Sequence, residues 1–325
     1  MPETPLILAI DNGTQSIRAL LFDTRGNLLG KGKQEIEPYF SEQPGWAEQH
    51  PEYFWDNLGI ACQQFWQTTS ARPQQVVGVT VTTQRGTVVN LDRGGKPLRP
   101  AIIWLDQRHA RVDGAVKGPW GWLFKLARLE ETIGRFREKT QANWIAQNQT
   151  DIWAKTHKYL LLSGYLNYRL TGEYRDSTGS QVGYLPFDYR KHRWAGPRDF
   201  KWKTMPVKSH MLPELVRPGE RIGSLTTEAA AHLGLRPGLP VLAAASDKAC
   251  EILGYSRWTI YRLEKAGKLT SYGREKKKRF HLSSILQYQQ SSSAAGCSDI
   301  QTAQEIKTFS KRYKDAAKRL EERLK

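Results

Sequence analysis

Cysteine is scarce in this chain: three among 325 residues, placed far apart at Cys62, Cys250 and Cys297. That number and spacing argue against a disulfide framework and against a cysteine-ligated metal centre, and they suit a reducing cytoplasm. Long apolar runs are missing as well, since none approaches the roughly 18 residues a membrane-spanning helix needs, so no membrane partner is expected. No secretory leader is expected either, because Met1-Pro2-Glu3-Thr4-Pro5 leads straight into the first apolar run. Acidic residues are outnumbered, 32 Asp/Glu against 49 Lys/Arg, for a net charge of +17. The imbalance is concentrated in residues 255–325, which hold 17 of the basic residues and 7 of the acidic ones. Such a tail calls for an anionic partner or a solvated basic surface. What is abundant is core material: 39% hydrophobic residues and 11 tryptophans in a length that suggests two or three domains.

The most informative stretch runs from Ile7 to Asp23. Apolar residues Leu6 to Ile10 end in Asp11-Asn12-Gly13-Thr14-Gln15-Ser16, and a second apolar run, Ile17 to Phe22, follows. Two strands joined at Asn-Gly read as a β-hairpin. Its tip carries Thr14 and Ser16 hydroxyls and a glycine that lets backbone approach a ligand, the elements of a phosphate cradle. Asp11 stands where it can hold a magnesium ion directly or through water. The plain alternative is an ordinary tight hairpin.

Leu28 to Ile36 continues the meander, and Phe54, Leu58, Cys62 and Phe65 recur at helical spacing between Glu52 and Thr69. Val76–Val81, Val88–Leu91, Ala101–Trp104 and Val241–Ala245 read as strands. Residues 109–170 read mostly as helix, with Leu160–Leu162 on an apolar helical face, and Thr226–Leu233 as a short helix. No internal repeat is present, and Gln287–Ser298 has a linker composition.

Six segments occur in a fixed order: Asp11–Ser16; Gly45–Pro51; Thr82-Thr83-Gln84-Arg85-Gly86-Thr87; Pro100–Arg108; Tyr168-Arg169-Leu170-Thr171-Gly172; and Ala245-Ser246-Asp247-Lys248. Together they make residues 5–254 resemble the N-terminal domain of the FGGY carbohydrate kinases, the family of xylulokinase and glycerol kinase. The resemblance implies an α/β, actin/hexokinase-like (ribonuclease H-like) fold with a mixed sheet. It also implies ATP-dependent phosphorylation of a sugar or polyol hydroxyl, with Mg2+. By this likeness Asp247 is the catalytic base. Asp11, Gly13, Thr14, Gln15, Ser16 and Arg18 bind the cofactor, Asp11 as the metal-associated carboxylate. Gln84, Arg85, Trp104 and Asp106 contact the sugar or polyol. Taken singly, Trp104 also reads as core, Arg85 as a surface turn residue and Asp247 as a helix N-cap. Gly86 stands where glycerol kinases carry a glutamate, the loop lacks the xylulokinase-type histidine, and a Lys expected three residues before Trp144 is absent.

Family members continue for roughly another domain of ~200 residues beyond the base, and nothing after Gly254 resembles it. Weak or absent turnover by this chain alone is the expectation. Residues 247–286 instead resemble a MerR- or excisionase-type helix-turn-helix, with Gly254 in the turn, Ser256 as cap and Leu269–Leu282 as a two-stranded basic wing. That likeness implies contacts to DNA from Arg257, Trp258, Thr259, Arg262, Lys276, Lys277 and Lys278. A linker at 287–302 then leads to an amphipathic helix at 303–325 that docks on the body or pairs a homodimer. The alternatives to a kinase are a sugar-sensing DNA-binding regulator and a recombination product without selected function.

Overall fold

In the computed structural model the described residues are 5–23, 26–116, 118–181 and 184–244, with 267, 271–272 and 279–280 beyond them. The chain divides into two units, 1–254 and 255–325. The first unit begins as a meander of β1 (Leu6–Asn12), β2 (Ser16–Asp23) and β3 (Leu28–Glu35). After the short β4 (Glu48–Gln49) comes α1 (Pro51–Thr68), then β5 (Val76–Thr83), β6 (Val88–Leu91) and β7 (Ala101–Ile102). A helical stretch holds α2 (Pro119–Leu126), α3 (Glu130–Lys139), α4 (Gln141–Asn148) and α5 (Thr150–Lys155). The remainder comprises β8 (Lys158–Leu161), α6 (Leu162–Thr171), β9 (Arg175–Ser177), β10 (Phe187–Asp188), β11 (Arg193–Trp194), α7 (Lys201–Thr204), β12 (Glu214–Val216), β13 (Arg221–Ser224), α8 (Thr227–Leu233) and β14 (Pro240–Leu242).

The main sheet has the order β13-β14-β5-β1-β2-β3. β1 pairs antiparallel with β2 and parallel with β5, and β14 runs parallel to β5, so the sheet is mixed. Strand β1 alternates buried and half-buried positions, the period-two pattern its sequence dictates. Helix α1 packs against β2 and β3 through Phe54, Leu58, Ala61, Cys62 and Phe65, all fully or almost fully buried. Burying each of the larger side chains contributes about 1.5–3 kcal/mol. Thr226 caps α8 by accepting a 3.1 Å bond from the Ala229 amide, and Gly234 ends that helix in the left-handed region. A second sheet, β4-β7-β6-β8, supports a separate apolar cluster that includes Val88, Ile102, Ile145 and Tyr159.

Two expectations are corrected. Lys158–Leu161 is a strand rather than part of a helix, because it pairs antiparallel with β6, Val88 to Leu161 through Leu91 to Lys158, and buries Tyr159, Leu160 and Leu161. An unbroken apolar run satisfies either periodicity, and only the partner strand decides. Residues 109–116 are not helical either, and the first helix after them starts at Pro119. In the second unit, β15 (Ser271–Tyr272) pairs antiparallel with β16 (Arg279–Phe280), inside the span read as a two-stranded wing. Arg257, Trp258, Thr259, Arg262, Lys276, Lys277 and Lys278 lie outside the described residues, as do 287–325. Among the described residues no helix is long and apolar enough to cross a membrane.

Candidate active site

Parallel strands deliver their C-terminal ends to one sheet edge, where ligands of open α/β sheets gather. Here β1 ends in Asp11-Asn12, β5 is followed by Gln84-Arg85-Gly86, and β14 ends five residues before Asp247. Asp247 itself lies outside the described residues. The Gln84 amide donates a 2.8 Å bond to the Asn12 carbonyl, which carries the β1–β5 pairing past the strand and holds the Gln84–Gly86 loop beside the hairpin.

The hairpin differs from a two-residue Asn-Gly turn. Asn12 is the last residue of β1, Ser16 the first of β2, and Gly13-Thr14-Gln15 form the connection, closed by a 3.0 Å bond from the Gly13 amide to the Ser16 carbonyl. A Cβ at residue 13 would lie 3.1 Å from that carbonyl oxygen, so glycine serves the tight closure. Gln15 is exposed and Thr14 half-buried, whereas Ser16 is buried, which reduces its part in a cradle. Asp11 and Arg18 stand directly across the β1–β2 ladder and form a 3.1 Å ion pair, and the Thr82 hydroxyl is 3.4 Å from Asp11 Oδ1.

Trp104 joins this hairpin. Its indole Nε1 donates a 3.1 Å bond to Thr14 Oγ1, its side chain is half-exposed, and it lines an open groove of about 900 Å3 with Gly13, Gln15, Arg18 and Tyr53. Gly86 has a φ of 77° and packs against Trp104, where an added Cβ would meet the Trp104 Cβ at 3.4 Å. The glycine therefore leaves this part of the wall low. The side-chain amides of Asn12 and Gln84 are buried, and all four of their polar atoms lack a hydrogen-bond partner among the described residues. Unpaired buried amides of this kind are costly unless a ligand or ordered water completes them.

Asp106 does not face the groove. Its carboxylate is 3% exposed, accepts 2.7–2.9 Å bonds from Arg108 and takes a 2.7 Å bond from the Ala47 amide. It therefore positions the Trp104–Arg108 segment. Residues not singled out from sequence complete this scaffold: Glu48 binds both Arg99 and Arg108, and the Arg108 guanidinium is held between Trp46 and Trp144 at 4.2 and 4.5 Å from the ring centres. Burial depresses the Arg99 pKa, opposed by the Glu48 charge. A signal existed, since Glu48 and Arg108 stand inside two of the ordered segments and amid buried neighbours.

A fully buried carboxyl, Asp176, accepts from Ser163 (2.8 Å), Gln181 (2.9 Å), Asn167 (3.1 Å) and the Ser177 amide (2.8 Å). Desolvation nevertheless raises its pKa to about 6. No group of three or more His, Cys, Asp or Glu fit to hold a metal occurs among the described residues. Magnesium, however, is commonly held by one or two carboxylates together with phosphates and waters, and the partly exposed Asp11 fits that donor set.

The family model of the FGGY carbohydrate kinases, N-terminal domain, matches residues 6–254, and a helix-turn-helix domain model matches 246–293. A glycerol kinase of Thermococcus gammatolerans is 28% identical over 252 residues, covering 76% of this chain and 49% of that protein. A xylulose kinase of Lactococcus lactis is 28% identical over 249 residues, with 76% and 48% covered. Among solved structures, a xyloylose kinase from Brucella ovis superposes with a TM-score of 0.58 at 26% identity, over 75% of this chain and 49% of that one. The chain thus spans about half the length of the relatives it matches. With the mixed sheet, the ordered segments and the match over residues 6–254 in agreement, the chain belongs to the FGGY family of carbohydrate kinases.

Proposed function

We propose that this chain provides the sugar-binding lobe for ATP-dependent phosphorylation of a sugar or polyol hydroxyl. The observation that supports it best is the convergence at one sheet edge of the Asp11 hairpin, the Gln84 side-chain amide, which has no partner among the described residues, and Trp104 tied to Thr14. In this reading Gln84 and Arg85 hydrogen-bond hydroxyls, and the exposed indole of Trp104 covers the carbon chain. Asp247 accepts the proton of the attacking hydroxyl. Thr14 and the exposed Gln15 orient phosphate oxygens, and Arg18 offsets their charge. Asp11 would hold Mg2+ through water, and the ion would supply charge neutralisation on the phosphates. In this reading turnover by this chain alone is weak or absent, because residues 246–293 match a helix-turn-helix model and the match to the glycerol kinase covers 49% of that protein.

The test is a titration of polyols, ketoses and aldoses followed by tryptophan fluorescence and calorimetry. At least one sugar is expected to bind, with about tenfold or greater loss in Trp104→Ala and Arg85→Gln. A panel with no binder, or binding indifferent to both substitutions, would overturn the reading.

A second reading rests on the helix-turn-helix match and the strand pair Ser271–Tyr272 with Arg279–Phe280: a sugar-responsive regulator that binds DNA through its basic C-terminal part, as a monomer or a homodimer. A gel shift with the full chain at low salt should then weaken steeply as salt rises and vanish on Lys276–Lys278→Ala. Absence of any shift at low salt ends it.

A further inference from the structure

Helix α4 has two working faces. Through Gln141, whose Nε2 reaches the Gly86 carbonyl at 3.4 Å, and through Trp144 on Arg108, one face touches the segments of the candidate active site. The other face, with Asn143, Ala146 and Gln147, forms one wall of a separate cavity of about 260 Å3. Arg111, Arg137 and Lys203 line that cavity, and no Asp or Glu does.

The three cationic residues come from distant parts of the chain, and amide side chains of α4 fix the backbone at or next to each. Gln147 accepts from the Arg111 amide at 2.9 Å and donates to the Arg111 carbonyl at 2.8 Å. Asn143 donates to the Arg137 carbonyl at 2.8 Å and to the Thr204 carbonyl, next to Lys203, at 3.0 Å. Arg137 spends Nη1 on the Gly114 carbonyl at 2.7 Å. Neither the Arg111 nor the Lys203 side chain forms an ion pair among the described residues. Three like charges held around one cavity repel each other unless an anion joins them, and a pre-positioned guanidinium suits a phosphate.

We infer that this cavity is a binding site for a small phosphate dianion, separate from the active-site groove. Its volume lies below that of pockets for drug-sized ligands, which suits inorganic phosphate or a small phosphate monoester and not a nucleotide. Because α4 also holds the Gly86 carbonyl and Arg108, occupancy bears on the substrate wall through one rigid helix.

Calorimetric titration of the full chain at low ionic strength with inorganic phosphate, and separately with glycerol 3-phosphate, tests this without any turnover. The double variant Arg111→Gln/Lys203→Gln is expected to bind at least tenfold more weakly, with an unchanged melting temperature, since both side chains are exposed. Lys125→Gln, an exposed charge outside the cavity, should leave affinity unchanged. Tighter binding of the monoester assigns the site to a phosphorylated metabolite, and equal binding assigns it to free phosphate. The inference is overturned if neither probe binds, if Lys125→Gln weakens binding equally, or if the loss follows Arg18→Gln or Lys276–Lys278→Ala instead.

Discussion

Two ion-pair arrangements in the same lobe differ in what surrounds them. Asp11 and Arg18 pair across the hairpin with side chains 38% and 43% exposed, whereas Glu48, Arg99, Arg108 and Asp106 pair at 3–5% exposure. The exposed pair is screened by water, is worth about 0–1 kcal/mol, and can exchange partners when a phosphate or a cation arrives. The buried cluster has no such freedom, since losing one partner strands a charge in a medium that cannot solvate it. Charge at the groove mouth is therefore available for chemistry, while charge beneath Trp46 and Trp144 fixes the shape of the loop that presents Trp104.

The sharpest way to break that contrast is Arg108→Ala. It removes the guanidinium from Asp106 and leaves Glu48 with Arg99 alone, and should cost about 3–5 kcal/mol in urea unfolding; a loss below about 1 kcal/mol would show that the buried cluster is no scaffold. Asp176 comes next, as a buried carboxyl with donors but no counter-charge. Its pKa rises from 3.8 unfolded to about 6 folded, so the folded state holds the proton more tightly. Its contribution favours folding at low pH and is lost as pH rises from about 4 to 6. Relative to wild type, Asp176→Asn should therefore flatten the pH dependence of the urea midpoint across that window, and parallel curves would refute the assignment. Arg18→Gln should move stability by no more than about 1 kcal/mol while weakening Mg·ATP binding severalfold in calorimetry. Unchanged nucleotide affinity would remove the hairpin from the site. The smallest effect belongs to Thr14→Val, which deletes the bond from Trp104 and should cost about 1 kcal/mol or less. A shift in tryptophan fluorescence with at most a small fall in melting temperature is the expected readout.

Much of this lobe was legible in its residues. The spacing of Phe54, Leu58, Cys62 and Phe65 implied a helix over Glu52–Thr69, and α1 spans Pro51–Thr68. The meander of β1, β2 and β3 follows from apolar runs broken by turn residues, and the short helix read over Thr226–Leu233 is α8, Thr227–Leu233. Lys158–Leu161 reads as helix in the sequence because the three consecutive buried residues Tyr159, Leu160 and Leu161 carry no period of their own; their strand state is set by β6, nearly seventy residues earlier. The Glu48–Arg99–Arg108 cluster was hidden for the same reason, as pairing between residues 51 and 60 apart leaves no local pattern. Asp106 stood in an ordered segment that pointed to substrate, yet its carboxylate is consumed by Arg108 two residues on, a geometry that sequence spacing permits but does not dictate. Trp104 and the hairpin, by contrast, were singled out and do line one groove.

The proposal that this sheet edge serves phosphoryl transfer turns on Asp247. With the sugar found to bind, a coupled assay of ADP release should show slow, sugar-dependent turnover in the wild type and none in Asp247→Asn, with sugar affinity retained within a few-fold. Sugar-dependent release that persists in Asp247→Asn would contradict it.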